Sequence, residues 1–491
     1  MSNLLSPDLQ PSLCGPLLEM ERLVLRQSIE VEHWFRSQWR VHPPPFYASV
    51  DLRNACFKLA PVDTNLFPGG FNNLADSALP VAVQALMSAI EHHCPDIRRV
   101  LLIPENHTRN QFYLSNVAQL AELLRQAGLE VRIGSLLAEI AEPTRIQGQR
   151  PDGAEFSLLL ETLVRQGARL GLKGFDPCLI LLNNDLSAGV PEILQGLSGQ
   201  RVFPPLHAGW SSRRKSEHFE AYRQVAGEFA ERLQIDPWLI DPYFERCQDI
   251  DFHSRVGEGC LAEKISQILA RVRTKYKEHG IQKTPYVVVK ANAGTYGMGV
   301  MTVKDPSEII QLNRKQRNKM AVIKEGLAVS DVLIQEGVHS YETVRDGAGE
   351  AVAEPVVYMI DKYVVGGFYR VHSERGPDEN LNAPGAKFVP LPFASGCQQP
   401  LSHEDPDAMP NRLYLYGVVS RLALLAASRE IEATHPAARG RAKPHAAALC
   451  LRPTCRIQDL QRHQLCHDAG RSGTGPQHLG LPASAFVSGV L

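Results

Sequence analysis

Residues Tyr286–Val303 read YVVVKANAGTYGMGVMTV, two β-branched apolar runs joined by a loop holding Gly294, Gly297 and Gly299. Short runs of this composition predict strands. The first run ends in Lys290, and the second follows the glycines, so the pair predicts a hairpin. Glycines let a backbone approach a ligand closely and turn its N–H groups onto phosphate oxygens, and Lys290 adds a point charge. No Gly-Lys-Ser/Thr follows, so this is not a P-loop, and no helix follows, so it is not the dinucleotide fingerprint. A Gly-rich hairpin suits a flap folded over a nucleotide, although the same glycines could be turn residues only.

Further along, Val332–Val338 (VLIQEGV) is an apolar strand ending in Gln335 and Glu336. Its main chain could carry adenine, with a carboxylate left for the ribose. Pro355–Ile360 and Tyr363–Val365 flank Asp361-Lys362 and predict a hairpin with a two-residue turn. The continuation Gly366–His372 (GGFYRVH) brings Arg370, then Glu379, Asn380, Asn382 and Lys387. Arginine suits a transferring phosphoryl group. Asn and carboxylate oxygens suit Mg²⁺, a hard ion that accompanies phosphates. With helical patterns over Ala262–Lys277 and Asn411–Glu432, residues 256–432 read as an antiparallel α+β domain.

Residues 1–255 have a different texture. After a helical pattern around Leu17–Trp39, Val100–Ile103 reads as a buried strand, Asn110–Ala127 as a helix and Leu129–Ile133 as a strand. This βαβ unit implies a parallel sheet, and Leu179–Leu182 supplies another short strand. Ligands collect at the carboxyl ends of such strands, which makes Pro104–Arg109 and Asn183-Asn184-Asp185 candidate site segments as well as plausible capping turns. The run Arg213-Arg214-Lys215 reads either as a solvated basic turn or as a holder of substrate carboxylates.

Composition narrows the classes. The 491 residues carry 52 Lys+Arg against 53 Asp+Glu, so a generally basic nucleic-acid binder is excluded. The balance conceals an asymmetry: residues 436–491 hold seven Lys+Arg and two Asp, leaving a mildly acidic body and a basic tail. The most apolar stretch, Leu413–Ser428, is interrupted by Arg421 and falls short of a membrane span. No signal-peptide pattern opens the chain, and the scattered Cys suit a reducing compartment. A cytoplasmic location is expected.

Taken in order, the lysine, Gly-rich flap, Gln-Glu hinge strand, arginine and Asn-bearing loop resemble the ATP-grasp superfamily. FYRVH…ENLNAPGAK resembles the corresponding part of glutathione synthetases. Val50–Leu74 (VDLRNACFKLAPVDTNLFPGGFNNL), LHAGWSSRRKSEHF, KANAGTYGMGVMTV, IQEGV and GGFYRVH resemble the proteobacterial glutamate–cysteine ligases of the ATP-grasp-like kind, over roughly residues 15–432. The resemblance implies a pre-ATP-grasp-like N-terminal domain followed by an ATP-grasp-like domain. It also implies ATP and Mg²⁺ as cofactors, L-glutamate and L-cysteine as substrates, and γ-glutamylcysteine as product. An acyl phosphate would be the intermediate, with no covalent enzyme adduct.

Carried over by position, Lys290, Gly294, Thr295, Tyr296, Gly297 and Gly299 would hold the ATP phosphates, Gln335 and Glu336 would lie at the adenosine, and Lys290 and Arg370 would serve catalysis. Arg53, Asn54, Lys58, Asp63, Asn65 and Asn72 form a polar binding stretch, with Arg213, Arg214 and Lys215 as further substrate ligands. Asn382, Asn380 and Asp361 are the metal candidates. The late Asp and Glu-x-Asn metal pattern of ATP-grasp enzymes is missing, with Glu354, Glu374 and Glu379 as possible substitutes. After about His435 the resemblance stops. Residues 433–491 are expected to be a disordered, possibly frame-altered tail, in which Cys450, Cys455, Cys466 and His467 fit zinc spacing poorly. Two rival readings are an ATP-grasp ligase with another acid and amine, and a non-catalytic nucleotide-binding regulator.

Overall fold

The helical pattern near the N-terminus is broken at Gln27 into Gly15–Arg26 and Ser28–Val41, each burying one apolar stripe that includes Leu17, Met20, Trp34 and Phe35. The computed structural model describes residues 15–150, 153–294, 299–321, 328–346, 349–391 and 409–439. Strands β1 (Tyr47–Asn54) and β2 (Leu59–Asn65) then pair antiparallel.

The expected βαβ unit follows as β3 (Arg99–Pro104), the helix Gln111–Gln126 and β4 (Glu130–Ser135). With β5 (Thr144–Gln149), β6 (Glu155–Thr162), β9 (Leu179–Asn183) and β10 (Arg201–Phe203) it builds a sheet of order β10-β9-β3-β4-β6-β5. Only the β5–β6 pair is antiparallel; the others are parallel. β7 (Val164–Gln166) and β8 (Arg169–Gly171) form a separate ribbon. All five residues of β9 are buried, as expected for a strand covered on both faces.

A four-stranded antiparallel sheet comes next, order β11-β14-β12-β13. Its strands are β11 (Phe244–Gln248), β12 (Val287–Ala291), β13 (Val300–Val303) and β14 (Asp331–Glu336). The hairpin read from Tyr286–Val303 is present, with Lys290 opposite Val300. β15 (Thr343–Asp346), β16 (Gly349–Ile360), β17 (Tyr363–His372) and β18 (Lys387–Pro390) return to pair with the first strands, giving the order β18-β17-β16-β1-β2. This sheet joins strands from both sides of the expected boundary at 255/256, and all described residues belong to one compact unit, Met1–Gly440. The β1–β16 pairing sets Asp51 opposite Val356, and β16–β17 sets Glu354 opposite Arg370, so residues about 300 positions apart in sequence share one face. The helix Met409–Thr434 is buried along most of its length, which is why it is apolar all round.

Candidate active site

Two cavities adjoin at the sheet in which β1 pairs with β16 and β16 with β17. The first, about 120 Å³, is lined by Arg53, Lys290, Thr302, Gln335, Glu354 and Asn380, among others. The second, about 280 Å³, opens toward the parallel sheet and includes Asn65, Gly70, Asn72, Glu105, Asn183 and Asp185 in its wall. Asp51, Asp63, Arg370 and Asn382 line both.

The shared wall is a charge network. Arg370 donates from Nη1 to Asp51 at 2.9 Å and to Glu354 at 2.5 Å. Glu354 accepts a second ion pair from Arg53 Nε at 3.0 Å. Arg53 also donates to Tyr286 Oη and the carbonyls of Val338 and Glu379, which ties the strand β1 to segments flanking the four-stranded sheet. Lys215 Nζ holds both oxygens of Asp63, at 2.7 and 2.8 Å. Lys290 donates to the carbonyl of Val62 and to Gln335 Oε1.

Burial and neighbours tune these groups. Burial pushes Lys290 down to about 7, against the pull of Asp63 and with the push of Lys215. Burial also raises the carboxyl of Asp51, only partly offset by Arg370. Asp63 and Glu354 resist burial. Lys215 and Lys290 hold Asp63 well below the carboxylate range, and Arg53 with Arg370 lowers Glu354. Among the described residues, Arg370 Nε and Gln335 Nε2 are buried donors with no partner. Unsatisfied buried donors are costly, and here both belong to cavity walls that a ligand rich in acceptors would complete.

The second cavity rests on an asparagine relay. Asn116 Oδ1 accepts from the N–H groups of Gly70 and Phe71, and its Nδ2 donates to Asn183 Oδ1. Asn183 Nδ2 in turn donates to the carbonyl of Pro68. Tyr358 Oη donates to the carbonyl of Gly69. The loop after β2 is thus fixed to the carboxyl ends of β3 and β9, where Glu105 accepts from the backbone N–H of Asp185 at 3.0 Å.

The structure brings Arg53, Asp63, Lys290, Gln335, Arg370, Asn380 and Asn382 to the first cavity and Asn65 and Asn72 to the second. Gly294 and Gly299 both take the positive φ their role at the hairpin needs, whereas Thr295, Tyr296 and Gly297 lie outside the described residues, as do Cys450, Cys455, Cys466 and His467. Glu336 lines the first cavity, but its carboxylate is engaged by Lys58, Trp238 Nε1 and the Tyr243 N–H. That leaves Lys58 fully buried against Glu336 and outside both cavities.

Four further candidates stand elsewhere. Arg213 makes a bidentate pair with Glu430 and donates to the Thr64 carbonyl. Arg214 donates only to nearby carbonyls. Asn54 bonds Tyr416 Oη and the Cys56 N–H. Asp361 sits at the β16–β17 turn beside His92 and His93, not with Asn382. For Arg213, Asn54 and Asp361 a partner distant in sequence takes the polar group, which spacing along the chain cannot reveal. Asp51, Asn116 and Tyr358 were not singled out by sequence. Asp51 could have been, since it stands two residues before Arg53 on the same strand face.

The donor set fits Mg²⁺ with ATP. Asp51, Asp63, Glu354, Asn380 and Asn382 offer side-chain oxygens in the wall of one cavity, and such donors suit a hard cation.

A family model described as GshA, glutamate-cysteine ligase, matches residues 21–431. A crystal structure from Methylobacillus flagellatus KT, of a candidate gamma-glutamylcysteine synthetase, is 59% identical over 88% of this chain and 100% of its own, with TM-score 0.80. A glutathione synthetase-like effector from Globodera pallida (9% identity, 77% of this chain, 84% of its own, TM-score 0.35) and D-alanyl-alanine synthetase A from Vibrio cholerae (12%, 66%, 81%, 0.32) are too distant to bear on function. No curated protein matches.

Proposed function

Because the chain belongs to the glutamate–cysteine ligase family, an ATP-using class that joins glutamate to cysteine, we propose that its two adjoining cavities divide the reaction between nucleotide and amino acid. ATP lies in the cavity of Lys290, Thr302 and Gln335, beside the β12–β13 hairpin. Glutamate lies in the cavity of Asn65, Asn72, Asn183 and Asp185, its ammonium against the carboxylates of Glu105 and Asp185. The γ-carboxylate then meets the γ-phosphate at the shared wall of Asp51, Asp63, Arg370 and Asn382. The observation that carries this reading is that those four residues line both cavities.

Phosphoryl transfer to the γ-carboxylate gives an acyl phosphate and ADP. The free amine of cysteine attacks the acyl carbon, and phosphate leaves with its bonding electrons as the amide forms. No enzyme nucleophile takes part; the residues position the reactants and oppose negative charge. Lys290 and Arg370 supply that charge beside the transferred group, with Arg370 held in orientation by Asp51 and Glu354. Asp51, Glu354 and Asn382 would hold Mg²⁺, which would supply positive charge against the phosphates. Lys58 and Arg213 have structural roles in this scheme, and Arg53 braces Glu354.

The test is ADP release with ATP and Mg²⁺, supplying glutamate and cysteine singly and together. Sustained release only with both supports the assignment. Release with a different acid–amine pair would make the protein a ligase of other substrates, and a Lys290→Ala protein with normal turnover would sink the nucleotide site. Lys290→Ala is expected to lose about 10²–10³-fold in kcat.

A further inference from the structure

A second cluster of ligand-bearing side chains stands away from both cavities. His92 and His93 end the helix Leu79–His93, and Asp361 occupies the tight turn between β16 and β17 with a positive φ of 50°. His92 Nδ1 lies 3.2 Å and His93 Nε2 3.9 Å from Asp361 Oδ1. The three residues offer ligand atoms all within 4.8 Å of one another.

Asp361 is completely buried, and neither Lys nor Arg pairs with it among the described residues. Its Oδ2 has no hydrogen-bond partner, and neither has His93 Nε2. A buried carboxylate normally has its oxygens satisfied. Here one oxygen and one ring nitrogen are both left without partners in one cluster, and Phe46 and Phe203 pack around the His93 ring. Two imidazoles and a carboxylate suit zinc and related borderline divalent ions, not magnesium. Ligand bonds of about 2.0–2.1 Å in a tetrahedron separate ligand atoms by about 3.3 Å; the 3.2 Å spacing already matches, and the 3.9 Å spacing would close by rotation of the His93 ring and its neighbours as the ion binds. His92 is 40% exposed, which gives an ion a way in and leaves the fourth position to water.

We propose that His92, His93 and Asp361 form a structural site for a zinc-class divalent cation, separate from the catalytic junction. The ion would clamp the β16–β17 turn to the end of the helix Leu79–His93. β16 and β17 carry the opposed pair Glu354 and Arg370 further along the same hairpin, so the clamp would steady the sheet without touching substrate.

Purified full-length protein, stripped with a chelator, is titrated with Co²⁺ and followed by visible absorption, then with Zn²⁺ and followed by thermal unfolding. One equivalent of Co²⁺ should give the intense bands of a four-coordinate site and be displaced by Zn²⁺, and Zn²⁺ should raise Tm. His92→Gln, an exposed change with little risk to folding, and Asp361→Asn should each remove the bands and the Tm shift. The cluster Asp236, Glu278 and His279, where Lys275 already pairs with Asp236, serves as control, and His279→Gln should change neither readout. Absence of four-coordinate bands in the parent protein, or bands of equal strength in His92→Gln, would overturn the site and leave a His–Asp ion pair.

Discussion

At the scale of single residues, the proposed chemistry turns on two cations held in opposite states. Burial brings Lys290 down to about 7, so at pH 8 most of the ligand-free protein carries a neutral amine there. Arriving phosphates favour the ammonium, so ATP binding should take up protons. Calorimetry in buffers of different ionisation enthalpy should find uptake of a large fraction of one proton at pH 8, declining below pH 7 and absent in Lys290→Met. Binding without uptake would show that Lys290 does not meet the phosphates. Arg370, by contrast, is driven above its ordinary range because Asp51 and Glu354 outweigh its burial, so it stays charged at every accessible pH. Removing it would leave the half-buried Asp51 unpaired beside Glu354, which keeps Arg53, a loss approaching about 3 kcal/mol. Arg370→Lys is therefore the cleaner probe. It keeps the charge and loses the fork, and should lower kcat by at least about tenfold while leaving Tm within a few degrees. An unchanged kcat would remove Arg370 from the reaction.

At the scale of elements, the loop after β2 and the last helix do different work. Gly70 has a φ of 115°, and a Cβ there would stand 2.7 Å from Tyr358 Oη. Gly70→Ala forces the loop off Tyr358 and out of reach of Asn116, and should raise the KM for glutamate more than that for ATP. An equal rise in both would indicate general damage rather than a glutamate loop. On the helix Met409–Thr434, Glu430 receives Arg213 and also His218 Nδ1 at 3.0 Å. Burial raises Glu430, but Arg213 and His218 outweigh it and hold the carboxyl at about 2. Its folded value lies below its unfolded one, so the pair contributes stability above about pH 4 that is lost as pH falls toward 2. Arg213→Ala should cost about 3–5 kcal/mol of stability with the KM for glutamate little changed. A selective rise in that KM at unchanged Tm would restore Arg213 as a substrate ligand.

At the scale of the whole molecule, the family match ends at residue 431 and the compact unit at Gly440. A chain ending at Gly440 is expected to fold with the same Tm and to keep full ligation activity; loss of either would give the remaining residues a function. Much of the rest was legible beforehand. The βαβ unit, the hairpin at Lys290, the two-residue turn at Asp361 and the long apolar helix follow from local pattern, because alternation, helical period and glycine placement act over a few residues. Long exact motifs pointed to the ligase family, and most residues at the shared wall were named. The tertiary structure alone decided which polar groups face a cavity and which are held by a distant partner. Lys58 with Glu336, Arg213 with Glu430, Asp361 with two histidines, and Asp51 facing Arg370 are all pairings across 217 to 319 positions. Asp51 meets Arg370 through the β1–β16–β17 register, where a one-residue shift would turn the side chain to the opposite face; the other pairs depend on how helices and loops pack against the sheets, which no local pattern encodes.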